Sequence, residues 1–202
     1  MEPSGRKRQR TSGFQRETID LLFEALGAEL ARRGFQRVRL LIVGGVFMLL
    51  EVGNRPSTQD VDAIFMDLPT ATQLHPPPET QLFLEAVKAV GSTFQMPPKQ
   101  QQHWLNDDAA LFVQDLVFGP PPPARLWKTF HDVLEVYLPS KEAILVSKLM
   151  AFREKDRRDV EALCTLLHIE TREQAQLLVD RFVELKWQQE HRLNETLDDL
   201  FL

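Results

Sequence analysis

Asp60 and Asp62 stand one residue apart in "TQDVDAIF", with Val61 between them and Ala63, Ile64 and Phe65 behind. Carboxylates in an apolar strand are costly unless something requires them. A strand alternates its side chains, so the two acids share one face and Val61 takes the other. Two carboxylates held that close repel, and a partly dry setting pushes each towards protonation. A divalent cation removes the conflict. Mg²⁺ prefers one or two protein carboxylates completed by water and phosphate oxygens, and a pair of such ions can clamp the attacking and leaving oxygens of a phosphoryl displacement. Upstream, "LIVGGVFMLL" carries Gly44 and Gly45, which let backbone approach a phosphate chain and open a helix. Fourteen residues lie between Gly45 and Asp60. A D-x-D triplet or a Gly-Gly turn alone is commonplace; the two in this order point to metal and phosphate chemistry.

The elements that must position these residues can be read from periodicity. Ile19, Leu22, Phe23, Leu26 and Leu30 follow helical spacing, and Gly34 ends the run. "VRLLIVGG" is a continuous apolar run of the kind found in a covered strand. "VFMLLEVG" suggests a helix of two turns stopped by Gly53, and "DVDAIFM" is the next strand. "ETQLFLEAVKAVG" reads as a helix, while residues 92–125 mix turns with apolar pieces. The prolines at 120–123 form an extended spacer. "VLEVYLP" alternates as a strand closed by Pro139. Ser140 is placed to cap one long helix, "KEAILVSKLMAFREKDRRDVEALCTLLHI", and Thr171 the helix after it. The expected fold is therefore α/β (α+β): a small mixed sheet flanked by helices, with a C-terminal helical part. Residues 1–12 form a basic tail expected to be disordered, 13–139 the α/β core, and 140–202 a helical region packed on it.

Composition narrows the function classes. A net charge of −5 gives no general footprint for nucleic acid, although a local patch can exist. The lone Cys164 cannot form an internal disulfide, which fits a cytoplasmic setting, and its apolar neighbours suit a buried inert thiol. No apolar run reaches the roughly 18 residues of a membrane span, and no signal-peptide pattern follows the basic start. There is no P-loop and no G-x-S-x-G elbow, and the five histidines show no paired zinc spacing.

"GGVFMLL" followed by "RPSTQDVD", and later "KLMAFREKDRRDVEAL", resembles the signature of the nucleotidyltransferase superfamily with the DNA polymerase β-like fold. The likeness is greatest to the branch of AbiEii-like toxins and uncharacterised nucleotidyltransferase-like proteins. It spans residues 38–167 and rests on Arg55, Thr58, Asp60 and Asp62, then Lys148, Ala151, Arg153, Lys155, Asp156 and Asp159; "HWLND" at 103–107 is also familiar from that branch. The resemblance implies that Asp60 and Asp62 bind Mg²⁺, or Mn²⁺ in its place, and that Gly44, Gly45, Arg55, Thr58 and Arg153 hold an NTP. Lys148 would neutralise the triphosphate, and Asp156 or Asp159 would complete the site. The usual fold has a third carboxylate on a later strand, for which Glu135 is the best-placed candidate, with Asp115 behind it; an exposed strand residue is the alternative reading of Glu135, and the one its position favours. In one unbroken helix Lys148 and Asp156 would stand about 12 Å apart, so they could not meet one phosphate without a bend or a long ligand, and the alternating charges of "REKDRRD" also suit a solvated salt-bridge face.

Three readings follow. The first is Mg²⁺-dependent transfer of an NMP group from an NTP to a hydroxyl of RNA or protein, as in the toxin of a toxin–antitoxin pair with a cognate antitoxin. The second is a nucleotide-binding module of the same fold without turnover. In the third the chain is a partner subunit, docking through the apolar residues of 171–202.

Overall fold

The computed structural model describes residues 13–69, 76–109 and 124–201. The basic tail, Asp115 and the four-proline spacer lie outside them. Helix α1 (Arg16–Arg32) buries Ile19, Leu22, Phe23, Leu26 and Leu30, the stripe its spacing predicts. Strand β1 (Val38–Ile42) leads through Val43 into α2 (Gly44–Phe47), which continues as a π-helical turn over Met48–Val52 and stops at Gly53 in the left-handed region. Strand β2 (Val61–Phe65) follows, then α3 (Pro78–Thr93), α4 (Pro98–His103) and the two-residue β3 (Leu105–Asn106). β4 (Ala124–Phe130) and β5 (Leu134–Pro139) form a hairpin.

The result is a five-stranded mixed sheet in the order β3-β2-β1-β5-β4. β1 lies in the middle, antiparallel to β2 and parallel to β5, and β3 runs parallel to β2. This is the mixed α/β class read from the sequence. The elements between 92 and 130 escaped that reading, because β3 is too short to show alternation and β4 is mostly exposed.

Ser140 does cap α5 (Lys141–Ala151), its Oγ accepting from the Ala143 amide at 3.2 Å. The single long helix expected after it does not form. α5 ends at Phe152, Arg153 is extended, a 3₁₀ turn covers Glu154–Asp156, and α6 (Arg157–Leu167) sets off anew. The physical reason lies in Lys148, which is buried among apolar neighbours and needs counter-charges that a straight helix would carry away from it. α7 (Arg172–Phe182) begins with a capping box between Thr171 and Gln174. α8 (Leu185–Glu190) and α9 (Leu193–Phe201) complete the described chain. Leu178, Val179, Leu193 and Leu197 join the core, whereas Leu177 and Leu185 stay 68% and 67% exposed. Among the described residues no helix is long and apolar enough to cross a membrane.

Candidate functional site

Most of the residues singled out in the sequence line one cleft of about 420 Å³. Its floor is where β1 passes into α2. Val43 donates to the Asp62 carbonyl at 2.9 Å, so Gly44 lies beside the Asp62 side chain. Gly44 has φ +62, and a Cβ there would run into the Asp62 carboxylate. Gly45 is equally tight: its Cβ would come 2.6 Å from Thr58 Oγ1 and 3.3 Å from Arg55 Nη1. The glycine pair is thus required by the side chains packed over it. Thr58 is buried, and its hydroxyl donates to the Asp60 carbonyl at 3.1 Å. Phe14 clamps the same residue from the other side, through amide–carbonyl bonds of 2.6 and 3.0 Å. Thr58 therefore fixes the turn that presents Asp60.

Asp60 is exposed and Asp62 half-buried, both on the cleft. Burial first, then the charges of Asp60 and Asp108, push Asp62 up from 3.8 to about 6; Lys155 and Arg153 pull the other way. Asp108 is a cleft residue that sequence reasoning missed. It follows β3, whose Asn106 is paired with Asp62, and its amide donates to Asn106 Oδ1 at 3.1 Å. The only trace in the sequence is its place directly after "HWLND". Asp108 also borders a neighbouring cavity of about 430 Å³ walled by α3 and α4.

The opposite wall comes from the bend after α5. Lys148 is 6% exposed, and its Nζ stands 3.0 Å from Asp156 Oδ1 and 2.7 Å from Asp159 Oδ2. Asp159 also accepts from Asn54 Nδ2 at 2.9 Å and Arg55 Nε at 2.8 Å, with the second arm of Arg55 on its other oxygen. Asp156 accepts from Arg153 Nε at 2.7 Å. Burial pushes both acids up, but it is outweighed. For Asp156 the charge of Lys148 and the bond from Arg153 decide; for Asp159, the bonds from Arg55 and Lys148. Both carboxyls are held below the usual carboxylate range. The bend thus closes the 12 Å gap of a straight helix, but it commits Asp156 and Asp159, each 1% exposed, to ion pairs inside the protein. That corrects the expectation that either would complete the site as an open carboxylate.

Glu135 is corrected as well. It pairs across β5–β1 with Arg39, four residues before Val43, or about 13 Å along the strand from the level of Asp62. Its carboxylate is taken by Arg37 Nη2 at 2.8 Å and by the Tyr137 hydroxyl at 2.7 Å, which lower its pKa in that order. At the level of Asp62, β5 offers Tyr137, Leu138 and Pro139. Cys164 is held up at about 11, by burial first and Glu161 second, as befits an unreactive thiol.

Asp60 and Asp62 suit a hard divalent cation. A half-buried carboxylate whose pKa is raised beside two further acids is one that a cation would return to its charged form. Among the described residues no three His, Cys, Asp or Glu side chains converge on one metal position, and a Mg²⁺ site completed by water and phosphate oxygens needs only two. Comparison with family models, with curated proteins and with solved structures gave no match to this chain.

Proposed function

We propose that the protein is a Mg²⁺-dependent nucleotidyltransferase that moves an NMP group from an NTP to an acceptor hydroxyl. One observation carries this reading: a single cleft brings the carboxylates Asp60, Asp62 and Asp108 together with the cations Arg153 and Lys155 of the bend, where Asp156 is already paired with Lys148. A polyphosphate chain with its cation fits such a set, since each charge meets its opposite. Asp60 and Asp62 would hold Mg²⁺, or Mn²⁺ in its place, and the ion would polarise the phosphoryl oxygens and neutralise their charge. Gly44 lets the Asp62 carboxylate pack directly on the backbone at the floor of the cleft. Thr58 keeps Asp60 in place, and Arg55 is locked by Asp159 behind the glycines. In the transfer, the acceptor oxygen bonds to the α-phosphorus, pyrophosphate departs, and the acceptor's proton passes to a carboxylate. Asp108 lines both this cleft and the neighbouring cavity, in which the acceptor would sit. An RNA or protein acceptor and a cognate antitoxin belong to this reading by resemblance alone, and a cytoplasmic setting rests on the lone Cys164.

The test is incubation with Mg²⁺ and each α-labelled NTP, with total RNA or total protein as acceptor, beside Asp60→Asn and Asp62→Asn variants. Label transferred by the wild type and by neither variant is the expected result. The absence of a carboxylate level with Asp62 on β5 favours a second reading, a nucleotide-binding module without turnover. Mg²⁺-dependent NTP binding without transfer would select it. Absence of both binding and transfer would overturn both readings.

A further inference from the structure

We infer that Lys155, not Lys148, is the cation that contacts the polyphosphate, and that Lys148 with Asp156 and Asp159 is the strut that holds its turn over the cleft. The inference rests on the nucleotide reading and deepens it. Lys148 is the lysine to which the resemblance gives the triphosphate, yet its ammonium is already shared by two buried carboxylates. Drawing it away to meet a phosphate would leave Asp156 to the exposed Arg153 and Asp159 to Arg55 and Asn54, and would give up two buried ion pairs. Asp156 and Asp159 together carry two negative charges, which Lys148, Arg55 and Arg153 share. Arg153 spends its Nε on Asp156 while its side chain stays 60% exposed.

Lys155 differs from all of these. It lines the cleft, is exposed, and makes no ion pair with the described residues. It rides on the 3₁₀ turn Glu154–Asp156, whose far end is pinned by Asp156 to Lys148. An exposed ammonium on a fixed turn, facing carboxylates across a cleft, has its charge available to a ligand. A phosphate chain bound opposite Asp60 and Asp62 would supply the matching anion. Arg153 beside it adds a second, partly occupied donor.

The experiment titrates inorganic tripolyphosphate with Mg²⁺, and separately ATP with Mg²⁺, into the full chain by calorimetry. Lys155→Ala is expected to weaken both by about tenfold, and Lys155→Arg to recover most of the affinity. Because Lys155 is exposed and forms no ion pair, Lys155→Ala should melt within about 2 °C of the wild type, which excludes loss of fold as the cause. Wild-type affinity in Lys155→Ala would overturn the assignment and leave the nucleotide reading standing. A wild type that binds neither tripolyphosphate nor ATP would overturn both.

Discussion

At the scale of single residues, Asp62 is where the proposed metal binding and stability oppose each other. Burial, and then the charges of Asp60 and Asp108, raise its pKa from 3.8 to about 6. Between those values the folded protein keeps a proton that the unfolded chain has released. The contribution of Asp62 to stability is therefore fully present below about pH 4 and is lost as pH rises through about 6. Each pKa unit corresponds to about 1.4 kcal/mol, so the charged carboxylate costs up to about 3 kcal/mol at neutral pH. Asp62→Asn should accordingly raise the melting temperature at pH 7.5 and leave it nearly unchanged at pH 4. Mg²⁺ should raise the melting temperature of the wild type at pH 7.5 and not that of the variant. Thermal melts at both pH values, with and without Mg²⁺, check this, and equal melting at pH 7.5 would show that Asp62 bears no such load.

At the scale of elements, the junction between β1 and α2 is packed directly against the Asp62 and Thr58 side chains. Gly44 has φ +62 and no room for a Cβ beside the Asp62 carboxylate. Gly44→Ala should cost about 1–2 kcal/mol from the backbone alone. By displacing Asp62 it should also weaken Mn²⁺ binding, read by electron paramagnetic resonance, by about 10- to 100-fold. Metal affinity equal to wild type would show that Asp62 can shift without consequence. The glycine pair, Asp60 and Asp62 were legible in the sequence because each lies within a few residues of a recognisable strand, so local alternation places them. Asp108 was not, since its position depends on a two-residue strand pairing in parallel with β2, and so short a strand has no pattern of its own. Glu135 was misplaced because alternation gives its face but not its register against β1. The break at Phe152 was hidden for a different reason. "REKDRRD" is a good helical sequence, and only the burial of Lys148, a tertiary fact, makes the bend favourable.

At the scale of the whole molecule, the C-terminal helices bear on the cleft through α5. One apolar cluster runs from Phe14 to Leu197, and α9 packs against both α5 and α7. α5 carries Lys148, and Lys148 anchors the turn with Arg153 and Lys155. Loosening α9 should therefore be felt at the cleft although none of its residues lines it. Leu197 is fully buried, so Leu197→Ala should destabilise the protein by about 2–5 kcal/mol. Because the cluster is continuous, the loss should be global: far-UV circular dichroism and the fluorescence of Trp104, buried in the α/β core with its Nε1 donating to Val87 at 2.8 Å, should report one coincident transition. To isolate the Trp104 signal, Trp127 and Trp187 are replaced by Phe in the wild-type and Leu197→Ala backgrounds alike. Two separated transitions, with Trp104 unaffected by Leu197→Ala, would instead make residues 171–201 an independent unit. The apolar surface at Leu177 and Leu185 would then belong to a docking module and not to the margin of a single core.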